Sequence, residues 1–168
     1  MKAEEMPYEI MNINSKEIII PKAYQRRLHP PRVARIVANF DEHIANEPKI
    51  SYRDGNFYAF DGQHSIASRK MMNNGEDLPI RCKVYRGLTE SDEALLFAQQ
   101  TGESAPLTAS AEMRALIFAG DKNATAFLHA TEAAGFHLGF EQGCGSKRII
   151  CINTAFSEVK RVGAELYK

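Results

Sequence analysis

The apolar residues of this chain change period several times, and the changes mark its elements. Glu17 to Ile20 is a β-prone run that stops at Pro21. A helix is predicted after Pro30-Pro31, where proline suits the first turn, with Val33, Ile36, Val37, Phe40 and Ile44 on one stripe and Pro48 marking its end. Ile50 to Tyr52 and Phe57 to Phe60 flank Arg53-Asp54-Gly55-Asn56, and an Asp-Gly pair between such runs predicts a hairpin. Ile66, Ala67, Lys70 and Met71 suit a short helix that Asn73-Asn74-Gly75 stops. From Pro79 to Tyr85, Ile80, Cys82 and Val84 alternate with Arg81 and Lys83, the mark of a strand with one buried and one basic face.

The second half reads as mainly helical. Thr89 and Asp92 have the spacing of a capping box, and Ala94, Leu95, Phe97 and Ala98 carry that helix toward Thr101-Gly102. Residues 103–107, with Pro106, are the one candidate boundary. Thr108 or Ser110 starts a helix to Ala119, and Asp121 caps another in which Ala124, Phe127, Leu128 and Thr131 share a side before Gly135. Phe136 to Phe140 and Ile149 to Ile152 predict a small hairpin or two crossing strands. A last helix starts at Asn153 with an apolar stripe of Phe156, Val159, Val162 and Leu166.

The pattern therefore predicts an α+β fold: residues 1–105 as a small mixed sheet with packed helices, and residues 106–168 as a mainly helical extension packed on it. The extension contains no convincing helix-turn-helix, which favours a dimerising or core-completing role; the first of these implies a homodimer. The chain ends at Glu165-Leu166-Tyr167-Lys168 inside an apparent helix, which suggests a longer protein.

Composition narrows the function classes. At 168 residues and 44% hydrophobic, the chain supports one substantial core. Its 21 basic and 21 acidic residues balance, which argues against coating nucleic acid by bulk charge. Arg26, Arg27, Arg32 and Arg35 nevertheless form a local cluster without an intervening carboxylate, a patch able to contact nucleotide or DNA. The absence of a signal-like or membrane-length apolar run predicts a cytoplasmic protein. Cys82, Cys144 and Cys151 lack a C-x-x-C pair and read as reduced thiols, with Cys82 in the core and Cys144 the most exposed.

Candidate chemistry concentrates in Asp61-Gly62-Gln63-His64-Ser65-Ile66-Ala67-Ser68, where a strand turns into a helix. Such a turn aims backbone N–H groups and the positive end of a helix dipole at one point, a ready phosphate site. Gly62 permits the reversal, and Asp61 or Ser65 is available to cap the first turn. His64 is a candidate phosphate donor or base, its pKa raised if Asp61 lies close. Asp61 is a candidate Mg²⁺ ligand as well as a cap. Arg69, one helical turn beyond Ser65, is placed to reach back toward the turn.

From Ile18 to about Asp121 the chain resembles the ParB/sulfiredoxin superfamily, most closely the ParB-like "DGQHR" proteins of bacterial mobile elements and phages. The resemblance is carried by the strand ending in Pro21, Tyr24-Gln25-Arg26-Arg27, Arg32-Val33-Ala34-Arg35-Ile36-Val37, Asn39-Phe40-Asp41, the Asp61-Gly62-Gln63-His64 turn, Gly87-Leu88-Thr89 and Glu93-Ala94-Leu95-Leu96-Phe97. It implies nucleotide phosphates, of CTP or ATP with Mg²⁺, at Gly62, Gln63, His64 and Ser65. Arg26 and Arg27 then border the nucleotide or contact DNA, ahead of Arg32 and Arg35. Gln63 stands where sulfiredoxin has its catalytic cysteine, so that reduction is excluded for want of a nucleophilic sulfur. Ser65 stands where the family has an arginine, so one bidentate phosphate partner is missing. The resemblance leaves three roles open: a nucleotide-dependent, DNA-associated module; an enzyme, either a small-molecule kinase with Asp61 and Glu93 as available acids or a nuclease, for which Asp41, Glu42 and Asp61 are too scattered in sequence to establish a metal cluster; or a scaffold whose nucleotide site has decayed.

Overall fold

Strand formation begins earlier than the pattern predicts. The computed structural model describes residues 6–42, 45–99, 107–140 and 145–162. Its first strand, β1 (Glu9–Asn14), turns Ile13 into the core although Asn12 and Asn14 weaken the β signal. The Asn14 side chain then accepts from the Lys16 N–H and opens a short 3-10 turn, Ser15–Glu17. That turn shortens the strand expected over 17–20 to β2 (Ile18–Ile19).

Helix α1 (Pro30–Ala38) starts on its proline as predicted but stops sooner than its apolar stripe implies. Asn39 ends it, donating its side-chain amide to the Arg35 carbonyl at 3.0 Å. Phe40 therefore lies beyond the helix, and Ile44 lies outside the described residues. The hairpin of β3 (Lys49–Arg53) and β4 (Asn56–Asp61) forms as expected. Its tip has Asp54 at φ 51° and Gly55 at φ 76°, the two positive angles of a type I′ turn.

Helix α2 (Gln63–Met72) follows, and β5 (Pro79–Arg86) realises the predicted alternation, with Ile80, Cys82 and Val84 buried. Burial pushes the Cys82 thiol up to about 12, which fits a core role. The strands assemble in the order β1-β5-β3-β4-β2. β1 runs antiparallel to β5 and β3 antiparallel to β4, while β3 with β5 and β2 with β4 are parallel, so the sheet is mixed. Ile13, Ile50, Ala59, Ile80, Cys82 and Val84 meet Ile66 of α2 in one core. Helix α3 (Glu90–Ala98) starts with the predicted box: the Thr89 N–H donates to Asp92 Oδ2 at 2.9 Å, and the Asp92 N–H to Thr89 Oγ1 at 3.2 Å.

The chain divides into Met1–Leu96 and Phe97–Lys168, inside α3 rather than at the 103–107 linker. Residues 103–106 of that linker, Thr101-Gly102, Cys144 and Leu166 lie outside the described residues. In the second unit, Thr108 caps α4 (Ala109–Phe118), and Asp121 caps α5 (Lys122–Ala133) by accepting from Asn123 and Ala124 at 3.0 and 2.9 Å. β6 (His137–Leu138) and β7 (Arg148–Ile149) pair in parallel, which rules out the expected hairpin. Helix α6 (Ile152–Val162) buries Ile152, Ala155 and Val159 against Met113, Phe127 and Leu138. The fold is α+β, as the sequence pattern predicts, and no helix among the described residues is long and apolar enough to cross a membrane.

Candidate functional site

The strand-to-helix turn is set by an irregularity in the sheet. Ile50 pairs with Ala59 but the preceding Lys49 pairs with Asp61, leaving Phe60 as the extra residue of a bulge. The bulge places Asp61 beside Lys49, whose Nζ is 3.7 Å from Oδ2. Gly62 then reverses the chain at φ 92°, and a Cβ there would stand 2.8 Å from Pro48 Cα. Only glycine satisfies both conditions.

Gly62 occupies the N-cap of α2, and no side chain caps that helix. The expected caps are thus corrected. Ser65 Oγ donates to the Asn46 carbonyl at 3.4 Å and accepts from Arg69. Burial raises the Asp61 pKa, while Lys49, the Gly62 backbone N–H and Arg26 act against that shift. The orphan N–H groups of the first turn keep their partial positive charge.

Cations gather on the His64 side of this turn. The His29 N–H, at the N-cap of α1, donates to His64 Nε2 at 3.2 Å, so the starts of α1 and α2 meet. An imidazole that accepts at Nε2 is neutral and carries its proton on Nδ1. Burial, then Arg26, Arg32 and His29, push the His64 pKa down to about 4. The raised pKa expected from Asp61 is therefore corrected: burial, and after it Arg26, Arg32 and His29, set the direction. His64 is no base poised near neutrality, and only Nδ1–H remains to donate.

Arg26 is the side chain most open to a ligand. Gln63 Nε2 donates to the Arg26 carbonyl at 2.9 Å, which ties its backbone to the first residue of α2. Its Nε is buried and has no hydrogen-bond partner among the described residues. Burial and the Arg32 guanidinium lower its pKa, opposed by Asp61. A buried donor left unpaired costs about 1–3 kcal/mol, a cost that an anion would remove.

The other predicted residues separate. Arg69 does reach back one turn to Ser65, but it is buried, its Nη2 lies 3.2 Å from Glu42 Oε1, and it stacks over Phe40. Its charge is already engaged. Arg27 is exposed, and Arg35 lines a separate open cleft of about 360 Å³ with Ile36, Asn39, Phe40, Asp41 and Ala45. Arg32 joins Arg26. Glu93, an available acid by sequence, is fully buried between Tyr24 and Arg53.

Asp61 does not make a metal site by itself. No group of three His, Cys, Asp or Glu side chains among the described residues is arranged to hold a metal ion. Sequence reading missed His29, whose signal was its position just before Pro30-Pro31, and Lys49, whose pairing depends on the bulge.

The fold and this turn define a class: an α+β protein whose mixed sheet leads into a helix start without a side-chain cap, with Arg26 and Arg32 close to His64. The chain belongs to a family whose model is described as "Family of unknown function (DUF6551)" and matches residues 20–168, the whole turn included. No curated protein matches the chain.

Proposed function

We propose that this chain is a ParB-like nucleotide-binding, DNA-associated module in which CTP or ATP phosphates bind at the Gly62–Ser65 turn. The observation that carries the reading is the buried, unpartnered Nε of Arg26 beside the uncapped start of α2. Arg32 and the start of α1 add positive potential to the same place. Gly62, Gln63 and Ser65 contribute through backbone N–H groups; Ser65 Oγ and Arg69 hold the local structure. Arg27 and Arg35, both exposed, are the residues through which DNA contact is proposed.

The enzyme readings draw less support. Kinase or nuclease chemistry needs carboxylates arranged around a reacting phosphate. Here Glu93 is bound to Tyr24 and Arg53, and Asp61 to Lys49. Mg²⁺ is expected to arrive with the nucleotide and be held mainly by its phosphates, with Asp61 as a single carboxylate neighbour. A cytoplasmic location belongs to the same proposal, supported by the free thiols of Cys82 and Cys151.

Calorimetry with ATP, CTP, GTP and UTP, with and without Mg²⁺ and duplex DNA, tests the reading. Selective binding that DNA strengthens supports a DNA-linked module. Binding indifferent to DNA favours a small-molecule enzyme. No binding by a folded sample leaves the decayed scaffold.

A further inference from the structure

The segment that carries Arg26 has no ladder to hold it. Residues 20–29 belong to no helix or strand, and within them Gln25 donates its N–H to the Pro21 carbonyl at 3.4 Å. Three consecutive residues of the segment are anchored, two by their side chains and the third by its backbone carbonyl. Tyr24 donates its hydroxyl to Glu93 Oε2 at 2.9 Å, Gln25 donates its amide to the Ala59 carbonyl, and the Arg26 carbonyl accepts from Gln63. Two of these anchors come from β4 and α2, next to the turn. The third comes from α3, far along the chain.

That third anchor is the costly one. Tyr24 and Glu93 are both 0% exposed. Burying a carboxylate is unfavourable unless it is paired and its oxygens are satisfied. Arg53 supplies the pairing, with Nε 2.7 Å from Glu93 Oε1 and its guanidinium 3.8 Å over the Tyr58 ring. One oxygen faces Arg53 and the other faces Tyr24, so the carboxylate is held in one orientation. A fully satisfied buried network of this kind fixes a single geometry.

We infer that Glu93, acting through Tyr24, is the positioning residue that holds Arg26 at the phosphate turn. The inference rests on the phosphate reading of that turn. It gives Glu93 a role that is not catalytic: its carboxylate never meets the ligand, and its effect passes through the Tyr24 hydroxyl and the two residues that follow. Arg53 serves as its counter-ion, and an apolar residue in place of Tyr24 would remove the α3 anchor while leaving those at Gln25 and Gln63.

The experiment is a double-mutant cycle on the full chain with inorganic pyrophosphate as the probe. Tyr24→Phe and Arg26→Ala are each expected to weaken binding about tenfold, and the double variant to bind no more weakly than Arg26→Ala alone. Equal effects of Tyr24→Phe with and without Arg26, or none, would overturn the inference, because a merely structural role adds independently. A second readout needs no ligand: solvent exchange of the Arg26 Nε–H by NMR. Tyr24→Phe and Glu93→Gln are expected to speed it about tenfold, following loss of the hydrogen bond that orders the segment. Unchanged exchange refutes the positioning role whether or not pyrophosphate binds. Faster exchange with no pyrophosphate binding keeps Glu93 as the anchor of Arg26 and refutes the phosphate reading instead.

Discussion

The backbone N–H of His29 donates to Nε2 of His64 at 3.2 Å, joining the start of α1 to the first turn of α2. The bond exists only while the imidazole is neutral. Burial and the neighbouring Arg26, Arg32 and His29 keep it so, with a folded pKa of about 4 against an ordinary 6.5. A depressed pKa contributes stability that is fully present above the unfolded value and is lost as pH falls through the folded one. Denaturant unfolding should therefore show stability falling from about pH 6.5 toward pH 4 by on the order of 2–3 kcal/mol. The variant His64→Gln should flatten that limb. A limb of equal size in the variant would assign the acid sensitivity to other groups.

Asp61 is expected to act with the opposite sign. Its folded pKa is raised, by burial first, so its contribution is present below the ordinary carboxylate range and lost as pH rises through the folded value. Replacing it with asparagine removes the charge that burial penalises. Thermal unfolding of Asp61→Asn should show its gain over wild type near neutrality and little gain in acid. A variant less stable at neutral pH would mean that the Lys49 pairing outweighs burial.

Two glycines with the same backbone sign are predicted to differ in tolerance. Gly55→Ala at the hairpin tip meets nothing within 4 Å and should cost about 1 kcal/mol for its positive φ. Gly62→Ala brings a Cβ to 2.8 Å from Pro48 as well, and should cost about 2 kcal/mol or more. Urea titration of both variants measures the difference, and equal losses would contradict the close approach.

Much of this could be read from local sequence. The Asp54-Gly55 tip, the β5 alternation, the Thr89–Asp92 box and the Asp121 cap are decided by residues within a few positions, and each formed as the pattern predicts. α1 ends early at Asn39, so Phe40, which continues the apolar stripe in sequence, lies beyond the helix and under Arg69. The parallel pairing of β6 and β7 follows from long-range geometry that no turn signal carries. Arg69 reaching Ser65 was legible from helix spacing; Glu42 neutralising it was not. The same holds for His64, whose depressed pKa depends on burial first and then on Arg26 and Arg32 arriving from a separate segment.

The buried pair at the back of the site should be unforgiving. Arg53→Ala leaves Glu93 charged and unpaired at 0% exposure, and should destabilise by about 3–5 kcal/mol. Adding Glu93→Gln should recover part of that loss, since it removes the stranded charge. Chemical denaturation of the single and double variants decides it; a double variant no more stable than Arg53→Ala would show that the charge was not the cause.

The central claim is that Arg26, rather than the other arginines, waits for a phosphate. Calorimetric titration of wild type, Arg26→Ala and Arg35→Ala with ATP and with CTP, at low and at moderate salt, tests it most directly. The account predicts binding that weakens with salt, falls about tenfold or more in Arg26→Ala and survives in Arg35→Ala. Equal binding by Arg26→Ala and wild type, or no binding by folded wild type, would contradict it.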